Sequence, residues 1–161
     1  MNQYVLKQRV FSLGDNYIIQ DESGQERFRF DSAFFSLGKK LTLQDMAGRD
    51  LVLIRQRLLS FGPTYEITEG GRMMAIVKKS LFTFFNCRFT VDMPGPDDLE
   101  ASGSFLEYEY AFIRGGHEVA VVSKKWFSWG DTYGVRIADG QDDVLILAST
   151  IVIDLACHDD D

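Results

Sequence analysis

The chain has 161 residues, 45% of them hydrophobic and 25% charged, and carries a net charge of −7 at pH 7. That length suits one domain, 1–161, with a sizeable core. The acidic balance disfavours nucleic acid and leaves anionic lipid no better than a weak partner, because both reward a basic surface.

The N-terminal stretch MNQYVLKQRVFSLGD lacks the continuous apolar run of a secretory signal, and no N-x-[ST] acceptor occurs, so a cytoplasmic location is expected. Turn signals then recur at Asp21-Glu22-Ser23-Gly24, Asp45-Met46-Ala47-Gly48, Glu69-Gly70-Gly71, Arg114-Gly115-Gly116 and Asp139-Gly140. Glycine supplies the positive φ that hairpin turns require. Between them lie β-branched and aromatic runs with period two, among them Arg27-Phe28-Arg29-Phe30, Leu51-Val52-Leu53-Ile54 and Tyr133-Gly134-Val135-Arg136-Ile137.

A repeat emerges when Gly24, Gly48, Gly71 and Gly116 are aligned. Six positions on, each unit has an apolar strand residue: Phe30, Ile54, Val77 and Val122. Eleven and thirteen positions on come the apolar pairs Phe35/Leu37, Leu59/Phe61, Phe82/Phe84 and Phe127/Trp129. One supersecondary unit is reused, with an extra strand pair around Leu99 and Glu107 to Arg114 in the longest interval. Loops are normally polar, so the apolar pairs are expected to plug a barrel end or fold inward. The stretch Pro94-Gly95-Pro96-Asp97-Asp98 reads as an exposed loop.

Period two stops near residue 140. Val144 to Cys157, VLILASTIVIDLAC, is interrupted only by Ser149, Thr150 and Asp154 and has no polar face. As a helix it would span roughly 21 Å at about 1.5 Å per residue, short of a bilayer core of roughly 30 Å. A buried core helix follows, and no integral membrane segment. Together these elements predict a mainly β fold, a closed antiparallel barrel of about twelve strands around a buried hydrophobic C-terminal helix.

Chemistry is sparse. No G-x-S-x-G, H-E-x-x-H, Walker, G-x-G-x-x-G or C-x-x-C motif occurs, so no catalytic residue, metal or cofactor is assigned and an enzyme is not expected. Cys87 and Cys157 sit in apolar surroundings as structural thiols. His117 is an exposed turn residue, and His158 opens the acidic run His158-Asp159-Asp160-Asp161, read as a frayed terminus. Asp154, inside the apolar run, is read as pairing with a basic group or marking where the helix meets water, in preference to a catalytic acid. Arg55, Arg57, Lys78, Lys79, Lys124 and Lys125 recur where strands enter the apolar links. Two readings are open for them: an anion-binding ring, or long side chains snorkelling around a hydrophobic plug.

The order and spacing of several segments resemble the LURP-one-related, or YxjI-like, family of bacteria and plants. The segments are LIRQRLLS at 53–60 with YEI at 65–67, AIVKKSLFT at 75–83 with FTV at 89–91, and AVVSKKWFS at 120–128 with DTYGV at 131–135, followed by the apolar helix. The resemblance covers nearly the whole chain. It implies a tubby-like fold, shared with the phospholipid scramblases, in which twelve strands close around a hydrophobic helix. It implies no reaction. A non-enzymatic binding or scaffold module is the expected function, with a protein partner or a peripheral anionic lipid as its target. A carrier of a small hydrophobic ligand is the alternative, and would require the helix to leave room in the barrel.

Overall fold

The computed structural model describes residues 1–7, 16–35, 38–57, 64–81, 87–127 and 132–158. Twelve strands run in chain order: β1 (Asn2–Lys7), β2 (Asn16–Asp21), β3 (Glu26–Phe35), β4 (Gly38–Asp45), β5 (Asp50–Gln56) and β6 (Thr64–Glu69). Then come β7 (Arg72–Leu81), β8 (Cys87–Asp92), β9 (Leu99–Ser104), β10 (Glu109–Arg114), β11 (His117–Ser123) and β12 (Thr132–Ile137), and the helix α1 (Asp143–His158) closes the chain. Each strand pairs antiparallel with its sequence neighbours, and β1 meets β12 from Asn2↔Ile137 to Lys7↔Thr132. The result is a closed up-and-down barrel without a sheet edge.

The hairpin glycines behave as the repeat requires. Gly24, Gly48, Gly71 and Gly116 have φ of +85°, +84°, +82° and +81°. In the first two units an aspartate finishes the turn: Asp21 Oδ1 accepts from the Ser23 and Gln25 amides, and Asp45 Oδ1 from those of Ala47 and Arg49. The Ser23 hydroxyl holds the Asp21 carboxyl below its ordinary pKa, and the Arg49 amide does the same for Asp45. Phe30, Ile54, Val77 and Val122, the equivalent strand residues, are all fully buried.

The helix lies on the barrel axis. All residues from Leu145 to Ala156 are buried, including Ser149, Thr150 and Asp154. Asp142 caps its start, with Oδ1 accepting from the Leu145 amide. Asp143 in the first turn receives the Tyr4 hydroxyl at 2.6 Å and the Asn2 amide at 2.7 Å. These bonds tie the helix to β1 at one rim of the wall. The helix ends beside the opposite rim, so its apolar face is all of its surface and the whole wall is its partner.

Candidate functional site

The two rims differ. One, the turn rim, holds the tight hairpin turns after β2, β4, β6 and β10, the longer β8–β9 loop, the β12–α1 connection and the start of α1. The other, the link rim, holds the β9–β10 turn, the segment leaving β11 and the end of α1. Of the apolar pairs expected to plug this rim, Phe35 ends β3 with its side chain outside the described part, Phe127 is described, and the remaining members lie outside the described residues. The Phe127 side chain does not fold inward. On β12, Tyr133, Val135 and Ile137 are buried toward the helix, so Gly134 faces outward. A Cβ added at Gly134 would stand 2.9 Å from Phe127 Cε2 and 2.8 Å from Trp126 Cε3. Both rings therefore cover the outer wall at Gly134, and Arg136 stacks on Trp126 with its guanidinium carbon 3.8 Å from the ring centroid. Glycine permits this close approach, which no strand periodicity signals.

Asp154 is 4% exposed and its neighbours in the helix are buried, so the helix does not reach water there. Its carboxylate accepts from the Tyr108 hydroxyl at 2.8 Å and the Tyr133 hydroxyl at 3.2 Å. The two rings pack against each other with centroids 4.6 Å apart. Tyr108 adopts φ +55°, the positive value shown by no other described non-glycine residue, which places its ring under the rim. Tyr110, buried next along the wall, has its phenol pushed well above the ordinary range by burial and then by the Asp154 charge. This tyrosine set was not expected from the sequence, where its members are scattered over residues 108 to 154.

Strand alternation sorts the six basic positions. In β7, Ala75 and Val77 are buried, so Lys79 continues the inner face; it is half-buried opposite the buried Phe89. Lys124 follows the inward Ala120 and Val122, and its ammonium stands 5.8 Å from the Tyr108 ring centroid. Arg55, Arg57, Lys78 and Lys125 are exposed, and β5 and β7 alternation puts Arg55 and Lys78 on the outer wall. Two of these outer groups have cross-strand carboxylates: Arg57 pairs with Glu66 at 2.8 Å and Lys78 with Asp92 at 3.6 Å. All six thus lie in the link-side halves of their strands or just beyond them, split between the inner and outer faces of the wall. His117 is exposed at the start of β11, as expected. The Cys87 and His158 side chains lie outside the described residues, and Cys157 packs half-buried against the core.

Charge is segregated along the barrel axis. Among the described residues, the turn-side half of the wall with its turns and the helix start holds fourteen carboxylates and six cations, net −8. By position, the link-side half holds ten cations, the six named above with Lys7, Lys39, Lys40 and Arg88, against Asp31, Glu66, Glu107, Glu109 and Asp154, net +5. At the tip of the β9–β10 turn on this positive rim, Leu106 is 70% exposed.

A barrel of twelve antiparallel strands around a helix has counterparts among known proteins. The family described as LURP-one-related matches residues 2–154. The chain belongs to the LURP-one-related family. A relative in Bacillus subtilis (strain 168), carrying the name "Uncharacterized protein YxjI", is 36% identical over 161 residues, covering 100% of this chain and 97% of its own. An X-ray structure of a protein from Arabidopsis thaliana shares the fold at a TM-score of 0.66 and 20% identity, over 94% of this chain and 88% of that one. At that identity the likeness concerns the fold alone. Among the described residues of this LURP-one-related chain, no group of three or more His, Cys, Asp or Glu is placed to hold a metal, and no helix is long and apolar enough to cross a membrane.

Proposed function

We propose that this LURP-one-related barrel is a non-catalytic binding module that meets an anionic lipid surface with its link rim. The axial segregation of charge carries the reading. An approaching surface responds to the nearest face of the molecule more than to its total charge, because fields decay over a Debye length of about 8–10 Å at ordinary salt. A net charge of −7 is therefore compatible with a link-side half of net +5. Leu106, exposed among those cations, adds an apolar contact of the kind that peripheral binding uses alongside basic residues. The carrier reading loses support, since helix side chains occupy the axis that a ligand would need.

Co-sedimentation with vesicles of about two parts phosphatidylcholine to one part phosphatidylserine tests this. Binding is expected at low salt, weakening toward physiological salt and absent on pure phosphatidylcholine. The triple reversal Arg55→Glu/Lys79→Glu/Lys125→Glu is expected to abolish it. No binding at low salt, or tight binding indifferent to salt, refutes the proposal, and the first result turns attention to a protein partner.

A further inference from the structure

One stretch of the outer wall departs from the pattern of a sheet with one face in water, which is apolar inward and polar outward. Tyr110 and Phe112 of β10, Ala120 and Val122 of β11, Tyr133 and Val135 of β12, and Tyr4 and Leu6 of β1 are buried toward the helix. Alternation therefore turns Ala111, Ile113, Val121 and Val5 outward, where each keeps part of its surface in water. The four strands are neighbours in the barrel, with Ala111 opposite Val121, Val5 opposite Gly134, and the Trp126 and Phe127 rings lying over Gly134. The charges inside this patch are engaged: Arg136 stacks on Trp126 and donates from Nε to Gln3 at 2.9 Å, and Glu109 accepts from the Ser123 hydroxyl. Exposed charges stand at its two ends. Glu118 lies three residues before Val121 on the turn side, and Lys125 four residues after it on the link side.

We infer that this wall is where two copies of the chain meet, side by side and antiparallel, about a two-fold axis near Val121. Charge selects both the occupant and its direction. The turn-side half is net −8 and the link-side half net +5 among the described residues. A strand of six residues, such as β10 or β12, runs about 20 Å, roughly two screening lengths, so each half acts mainly on what lies beside it. Turning the second copy end for end sets acidic half beside basic half, and Glu118 beside Lys125 across the axis, twice. A parallel pair would set like charges together. Four strands about 4.8 Å apart make a face of roughly 300–400 Å² in outline, well under the roughly 800 Å² per partner of a standard interface. The apolar contact alone is too small, so the facing charges have to supply the remainder, and the dimer is weak and loosens as salt rises. It leaves both link rims open at opposite ends, so it stands or falls independently of membrane binding.

Sedimentation velocity of the full chain over a protein concentration series tests this, at about 0.1 M and about 1 M salt, where the screening length falls from about 10 Å to about 3 Å. A reversible dimer is expected at the lower salt, weakened about fivefold or more at the higher, as exposed ion pairs are. Val121→Arg, which sets a guanidinium against its own copy at the axis, is expected to leave monomer. Glu118→Lys and Lys125→Glu, both at exposed positions, each turn two attractions into repulsions and are expected to weaken the dimer about tenfold. The double variant Glu118→Lys/Lys125→Glu restores opposite signs across the axis and is expected to associate at least about threefold more tightly than either single variant. A monomer at every concentration overturns the inference, as does a dimer that is indifferent to salt or survives Val121→Arg. A double variant no tighter than the single ones overturns it too, because the two charges then do not face each other.

Discussion

Removing the Tyr108 hydroxyl isolates the bond that joins the link rim to the central helix. In Tyr108→Phe the ring still packs on Tyr133, and the 2.8 Å bond to Asp154 Oδ1 is lost. Hydrogen bonds to charged groups contribute about 1.5–3 kcal/mol, and the residual carboxylate would be left less well solvated at a site 4% exposed. The expected loss is therefore about 2 kcal/mol, near the middle of that range, or roughly 4–8 °C in Tm for a chain of this size. Tyr133→Phe, which removes a bond of 3.2 Å, is expected to cost less. Urea melts of Tyr108→Phe, Asp154→Asn and the double variant close a cycle, and coupling of about 1 kcal/mol or more is expected from residues in direct contact. A Tyr108→Phe melt within about 0.5 kcal/mol of the parent, the range of ordinary surface changes, would show that the bond contributes nothing to holding the helix.

On the outer wall, Gly134→Ala should destabilise by about 1–3 kcal/mol, because its Cβ forces the Trp126 and Phe127 rings to move, and Trp126→Ala should relieve part of that penalty. Denaturant melts that show no change in either background would remove the rings from Gly134. At high pH, the raised Tyr110 phenol means that folding favours its neutral form. Its contribution is whole below the ordinary tyrosine value of 10.0 and is lost as pH climbs above it toward the folded-state value. The urea midpoint is accordingly expected to fall above pH 10.0, and less so in Tyr110→Phe; a midpoint that stays level through about pH 11 would contradict this.

The barrel was legible because its signals are local. Alternation sets the inner face of each strand, positive-φ glycines close the hairpins, and an apolar segment without a polar side has to be enclosed. The extra strand pair appeared as β9 and β10, where the widest interval between repeat glycines requires it. What escaped depends on residues distant in sequence or on directions that no period encodes. Asp154 was recognisable as needing a partner, but the hydroxyls that meet it come from the β9–β10 turn and from β12. Phe127 was misplaced because the chain leaves β11 along the outside, where Gly134 leaves a surface flat enough to receive a ring. The overall net charge of −7 likewise conceals the charge pattern. Acids gather in the turns and bases at the link-side strand ends, so the sign alternates with every hairpin and averages out over longer stretches.

The same segregation has a second physical consequence. An α-helix carries about half a positive charge at its N-terminus and half a negative charge at its C-terminus. α1 begins among carboxylates, with Asp142 capping it and Asp143 in its first turn, and ends beneath a rim of lysines and arginines. The wall therefore opposes the helix dipole at both ends, each nearby charge contributing about 0.3–1 kcal/mol. A basic link rim would be useful to this fold even without a ligand. The triple reversal Arg55→Glu/Lys79→Glu/Lys125→Glu separates the two roles because it has two readouts. If the rim serves only the helix, the variant loses stability, and vesicle binding, where present, survives. Arg55 and Lys125 point to solvent, far better placed for a surface than for the helix end. Their charges should therefore register mainly in binding, whereas a loss of stability should follow Lys79, the inward member of the set.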